Sequence, residues 1–150
     1  MRMMLCFLIV LPSVLVAQTK KNMVTKLPPA KPKTALPGTP IQKSLERGKG
    51  IYNLYCLACH QADGGGVGTL NPPYTKEWTG GDKSRIIRMI LKGSVGKVEI
   101  DGDRFSNTMP AQPRFTDQQL ADVLTYVRKT YVNASPVTPA EVKAVRAKTK

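Results

Sequence analysis

Histidine and cysteine are scarce in this chain, which holds one His and three Cys in 150 residues. A lone His excludes a multi-histidine metal centre, a bis-histidine haem and a histidine proton relay, whatever the fold. Three cysteines are too few for a disulfide scaffold or a four-cysteine zinc ribbon. Acids are sparse as well, 10 Asp+Glu against 23 Lys+Arg, and the resulting formal charge of +13 invites a nucleic-acid reading. Where that charge sits argues against it.

The chain opens with its one long apolar run. Arg2 precedes apolar residues from Met3 through Val16, broken at Pro12 and Ser13, and the small residue Ala17 stands before polar Gln18. The pattern predicts a secretory signal peptide over 1–17, cleaved near Ala17. The run is shorter than the roughly 20 residues a bilayer span takes, so cleavage is expected ahead of an uncleaved anchor. Cys6 leaves with it, and the location expected is periplasmic or otherwise exported. Residues 18–43 follow with five prolines, six lysines and no acid. They cannot bury enough surface to offset their ordering entropy and read as a flexible, partly polyproline-II tether. Residues 44–132 carry 12 basic and 9 acidic side chains, and the basic extension 133–150 carries four basic and one acidic. The excess is therefore in the tails, and the core lacks the basic stripe that nucleic-acid binding needs. The tails suit acidic partner surfaces or anionic lipid, so peripheral membrane association through them is one expectation for an otherwise soluble protein.

The middle of the chain reads as helical. A first helix is expected from Ser44 as N-cap to about Tyr55, with Leu45, Gly48, Tyr52 and Tyr55 on one face. Gly48 on an apolar face is easiest to explain if another helix crosses closely there. A second helix runs from Asp82 as N-cap to about Lys92, with Ile86, Met89 and Ile90 inward and Gly93 as the stop. Asp101-Gly102 between Val98-Glu99-Ile100 and Arg104-Phe105 predicts a short β-hairpin. Thr116 and Gln119 make a capping-box pattern, with Phe115 and Leu120 as the hydrophobic staple, ahead of an apolar stripe from Leu120 to Tyr131. Arg128 and Lys129 fall in that helix's last turn, where cations favour the dipole. Thr138 and Glu141, with Val137 and Val142, repeat the capping logic for a short fourth helix. The acids, Asp122 among them, fall mostly at caps, turns and exposed helix positions. A core of this size is marginal alone, so something other than side chains should fill its middle.

Cys56-Leu57-Ala58-Cys59-His60 is the sharpest signal. C-x-x-C-H reads as a c-type haem attachment site, in which two thiols a turn apart add to one haem's vinyl groups and the adjacent His takes the iron. A thioredoxin-like dithiol needs a βαβ setting, whereas this motif closes a helix and meets Gly64-Gly65-Gly66. A zinc site lacks a fourth ligand, and a disulfide across two residues would be strained. With His60 the single His, the sixth position falls to Met, Lys or a vacancy. Met89 and Met109 are the core methionines. Met89, mid-helix, reads as packing, while Met109 lies in a loop before Pro110, free to present its sulfur.

These residues resemble the class I (mitochondrial-type) cytochromes c over about 44–131. The likeness rests on Gly48 and Tyr52, the motif ending at His60, Asn71-Pro72-Pro73, Thr108-Met109-Pro110, and Leu120, Leu124, Tyr126 and Val127. The resemblance implies an all-α cytochrome c fold, three to four helices wrapped around one covalently bound haem c, with the hairpin before the methionine loop. It implies thioethers at Cys56 and Cys59, iron ligation by His60 and Met109, and a carbonyl at Pro72, with Pro73 next, accepting the His60 Nδ1 proton. It places Trp78 at the haem edge or against a propionate, with plain core packing as the alternative. A narrower likeness, through Gly80-Gly81-Asp82-Lys83, Leu91-Lys92-Gly93 and Val123-Leu124-Thr125-Tyr126-Val127-Arg128, points to bacterial single-haem domains that accompany periplasmic dehydrogenases.

The function expected is single-electron transfer between periplasmic or membrane redox partners, a dehydrogenase as donor and a terminal oxidase or other cytochrome as acceptor. No catalytic residue is expected. The competing expectation is a small haem protein with an open sixth site, suited to peroxidase chemistry or gas binding.

Overall fold

The computed structural model describes residues 38–149. The expected signal peptide, and the tether up to residue 37, lie outside the described residues. Among those described are five helices and one hairpin, and no helix is long and apolar enough to cross a membrane.

Helix α1 (Pro40–Tyr55) begins earlier than Ser44. Thr39 Oγ1 accepts from the Gln42 amide at 3.4 Å, and Gln42 Oε1 accepts from the Thr39 amide at 2.7 Å. Pro40 at the first helical position lacks only an N–H that the helix would leave unpaired. Residues 40–43 are thus the first turn of a helix and not the end of a tether. Ser44 sits inside that helix, where its hydroxyl donates to Asp122 Oδ1 at 2.6 Å.

Cys56 (φ −118°) interrupts the helix, and a single turn, α2 (Leu57–His60), follows until Gln61 adopts φ 60°. This turn takes the count past the three to four helices expected, and it carries the C-x-x-C-H motif. Helix α3 (Lys83–Lys92) starts at Asp82, whose side chain accepts from the Ser84 amide, and stops at Gly93. Ile86 is buried as expected, but Ile87 and Leu91 are buried too, while Met89 and Ile90 are half-buried. A second face of α3 is covered, because α5 packs against it.

Strands β1 (Val98–Ile100) and β2 (Asp103–Phe105) pair antiparallel with Val98 opposite Phe105. Asp101 and Gly102 both have positive φ, 52° and 91°, as a two-residue hairpin turn requires. Helices α4 (Asp117–Tyr131) and α5 (Pro139–Ala147) both open with capping boxes, Thr116 with Gln119 and Thr138 with Glu141. Their staple residues Phe115, Leu120, Val137 and Val142 are all buried.

Helix α1 crosses α4 at Gly48, where an added Cβ would overlap the Asp122 carbonyl oxygen. Two charged residues are buried, Asp122 against expectation. Asp122 is 1% exposed and takes Arg47, Ser44 and Gln118 as donors. Arg128 is 2% exposed; it donates to the carbonyls of Thr79, Gly80 and Gly81 and to that of Ser135. Both belong to the interior because neighbouring segments bring enough hydrogen-bonding partners to offset desolvation.

Candidate haem cleft

Helices α3 and α4, the hairpin and the two irregular segments 71–79 and 107–112 enclose one large apolar cleft. It holds about 1260 Å³ of empty space with its mouth included. Protein cores close-pack and tolerate few voids larger than a water molecule, so a group of substantial size belongs there. Cys56, Cys59, His60, Pro72, Trp78 and Met109 all line this one space. The chain therefore brings together every site residue expected from the sequence.

Cys56 and Cys59 are free thiols, the first half-buried and the second exposed. Burial pushes the Cys56 thiol up to about 11, and the neighbouring Cys59 adds to the shift. A redox dithiol depends on a lowered thiol pKa, so the shift runs against that use. Among the described residues no three His, Cys, Asp or Glu side chains converge as a metal-binding group.

The His60 ring stacks on Tyr74, centroids 4.7 Å apart at 19°. Burial lowers its pKa, and the approach of the Pro72 backbone carbonyl opposes this without cancelling it. The ring is therefore neutral at neutral pH, the form that binds a metal. Its Nδ1 is buried and makes no formed hydrogen bond, while the carbonyl facing it is that of Pro72. A ligating His ordinarily donates its second ring N–H to such a carbonyl. The orphaned nitrogen and the apolar space together fit a haem.

The chain around His60 is fastened on several sides. Tyr52 donates its hydroxyl to the Gln61 carbonyl at 2.6 Å, and Tyr131 donates to that of Ala62 at 3.2 Å. Gly66 has φ 68°, and a Cβ there would overlap the Asn71 carbonyl oxygen and crowd that of Pro72. Only glycine lets the loop double back so closely.

Met109 is half-buried, and its backbone is held by Ser94 in both directions: Ser94 N donates to Met109 O at 2.9 Å and Met109 N to Ser94 O at 3.1 Å. Gly93, at φ 70°, lies so near that its Cβ would overlap the Met109 carbonyl oxygen. The methionine segment is also tied to the Pro72 segment, since Asn107 donates from N to Leu70 O at 3.0 Å and from Nδ2 to Asn71 Oδ1 at 2.9 Å. Met89, expected as core packing, lines the cleft as well. Trp78 stands on the cleft wall, with Arg85 Cζ 3.8 Å from its ring centroid and Arg85 Nη2 donating to its carbonyl at 2.7 Å.

The Tyr74 stack, the second role of Gly93 and the Asn107 tie were not anticipated from the sequence. The glycines themselves were visible there, but nothing local says which carbonyl each one meets.

Compared with known proteins, residues 45–131 match the family described as Cytochrome c. The gluconate 2-dehydrogenase cytochrome c subunit of Pantoea cypripedii is 31% identical over 97 residues, a stretch that makes up 62% of this chain and 22% of that protein. The chain thus spans about a fifth of that relative. The family match runs from the second turn of α1 to the last residue of α4 and takes in every cleft residue named above. On that match the chain belongs to the cytochrome c family, an electron-transfer family whose cofactor is covalently bound haem c with its iron.

Proposed function

We propose that the protein is an exported mono-haem cytochrome c that accepts single electrons from a dehydrogenase and passes them to a further redox protein, such as a terminal oxidase or another cytochrome. The reading rests above all on one observation: a neutral, half-buried His60 and a backbone-fixed Met109 line the same apolar cleft. Cys56 and Cys59 would form the thioethers of a bound haem, and His60 and Met109 would hold its iron. When bound, the haem supplies a one-electron ferric/ferrous couple whose potential is raised by His/Met ligation.

The chain's own residues set the conditions for that couple. Pro72 and Tyr74 fix the orientation of the His60 ring. The apolar lining excludes water, which disfavours the more highly charged ferric state. Trp78, braced by Arg85, closes part of the wall. With His60 and Met109 lining one cleft, we read the protein as a carrier and not a catalyst.

A dehydrogenase donor is supported by the name of the relative, whose cytochrome subunit serves gluconate 2-dehydrogenase. Export is supported by the apolar leader read in residues 1–17. The lysine-rich tails support salt-dependent attachment to acidic partners or to a membrane surface.

Replacing Met109 with Ala in the haem-loaded protein should abolish the far-red absorption band of methionine-ligated ferric haem and lower the potential. Met89→Ala should leave both in place. An open-site haem protein would lack the band from the start, and an unchanged spectrum in Met109→Ala would overturn the ligand assignment. Substrate-dependent haem reduction by a dehydrogenase that copurifies with the chain tests the partner.

A further inference from the structure

We propose that α5 is a strut for the methionine loop, with Arg146 as a positioning residue that keeps Met109 on the iron. The inference rests on the assignment of Met109 as ligand and extends it to a part of the chain beyond the family match, which ends at residue 131.

Helix α5 is fixed at its N-terminal end and in its middle. Lys83 Nζ meets Glu141 Oε1 at 2.8 Å, Thr125 Oγ1 exchanges hydrogen bonds with the Val137 backbone at 3.0 and 3.1 Å, and Val142 and Val145 are buried. A helix anchored in this way can carry load at its other end. There a single guanidinium takes three acceptors of one segment: Arg146 Nε donates to Asp117 Oδ1 at 2.8 Å, Nη1 to the Pro113 carbonyl at 3.0 Å, and Nη2 to that of Phe115 at 2.5 Å.

The held segment is the continuation of the methionine loop. From Met109 the chain runs through Pro110 to Gln112, whose amide donates to the Ile90 carbonyl at 2.8 Å, and then to Pro113. Pro110 and Pro113 each fix one backbone torsion, so the chain between the Arg146 contacts and Met109 has fewer torsions in which to absorb a shift at Pro113. The loop has four moorings, at Leu70 and Asn71 through Asn107, at Ser94, at Ile90 and at Arg146, and of these only the last comes from outside the matched region. No ammonium group can replace it, because a lysine has no planar fork to meet three acceptors at once.

The test uses the full-length, haem-loaded ferric protein and imidazole as the probe, which competes with methionine for the iron. Loss of the far-red band on titration gives the imidazole affinity. Arg146→Gln should raise that affinity by about tenfold, the factor corresponding to about 1.4 kcal/mol, and Arg146→Lys should fall between it and wild type. Should the Gln variant not fold, the Lys variant carries the comparison. Arg47→Ala weakens the α1–α4 crossing at Asp122 and removes no hydrogen bond to α5 or to 113–117. It should lower the unfolding midpoint and leave imidazole affinity near the wild-type value. An unchanged affinity in the Arg146 variants, or an equal shift in Arg47→Ala, would overturn the strut while leaving Met109 as ligand. A wild-type band that is absent, or that survives Met109→Ala, would remove the ligand assignment and the strut with it.

Discussion

Gly48 of α1 and Asp122 of α4 meet backbone to backbone, with no room between them for a methyl group. Gly50, two residues on, has nothing within 4 Å of where its Cβ would stand. Alanine at the two positions should therefore have opposite effects. Gly48→Ala forces the helices apart against an unyielding backbone and should cost about 3 kcal/mol, the upper part of the overpacking range. Gly50→Ala removes helix-interior backbone entropy and should stabilise by about 0.5–1 kcal/mol. Denaturant unfolding of the haem-loaded variants measures both.

The same crossing contains a buried carboxylate. Arg47 donates to Asp122 from Nε at 2.6 Å and from Nη2 at 2.9 Å, with the Arg47 side chain 51% exposed and that of Asp122 2%. Burial pushes the Asp122 carboxyl up, but hydrogen bonds from Arg47, Ser44 and Gln118 and the charge of Arg47 prevail and hold it below its ordinary value. Arg47→Ala leaves a buried charge with fewer donors and should cost about 2–3 kcal/mol at pH 7, less than a fully buried pair because Arg47 is half in water. A depressed carboxyl pKa stabilises the fold above the unfolded value of about 3.9, and that contribution is lost as pH falls through the folded value. The stability gap between wild type and Arg47→Ala should accordingly close below about pH 4. A gap that stays the same size from pH 7 down into the acid range would show that Arg47 acts through packing and not through the carboxylate.

Local signals carried the sequence reading a long way and stopped where contacts became long-range. Thr116 with Gln119 and Thr138 with Glu141 announce their helices because the cap and its partner lie three residues apart. Thr39-Pro40-Ile41-Gln42 bears the same signal but stands at the end of a proline-rich run, whose composition masked it. The C-x-x-C-H motif was legible because haem attachment constrains residue type directly, whereas Met109 stood out only by elimination among the core methionines. Asp122 was placed among the surface acids, and nothing in the sequence marked Arg128 as buried. Their partners lie far off along the chain, Ser44 and Arg47 for the one and the carbonyls of 79–81 for the other, and backbone carbonyls leave no trace in residue identity.

Arg128 gives a second test of buried charge, this time with no carboxylate bonded to it. Burial lowers its pKa, with the charge of Glu141 opposing. Its guanidinium is the donor for three consecutive carbonyls, so Arg128→Lys keeps the charge and loses the fork. Leaving one or two of those carbonyls unpaired should cost about 2–4 kcal/mol. Because the segment they belong to adjoins Trp78, indole fluorescence of the variant with its haem reduced and oxidised should also depart from wild type. Unfolding and emission measured on one sample separate loss of stability from local rearrangement.

Gly93 ends α3 and makes room for the Met109 carbonyl, while Gly96 has a similar backbone, φ 83° against 70°, with nothing within 4 Å of its Cβ position. Alanine at either site must take a positive φ, and at Gly93, with ψ −171°, it enters a region essentially reserved for glycine, a strain of roughly 1–3 kcal/mol. Only at Gly93 does the new methyl also collide with the chain that carries the sulfur. Gly93→Ala should therefore weaken or abolish the far-red band and lower the potential, whereas Gly96→Ala should lose comparable stability and keep its spectrum. Equal spectra in the two variants would mean that the Met109 segment shifts without disturbing ligation.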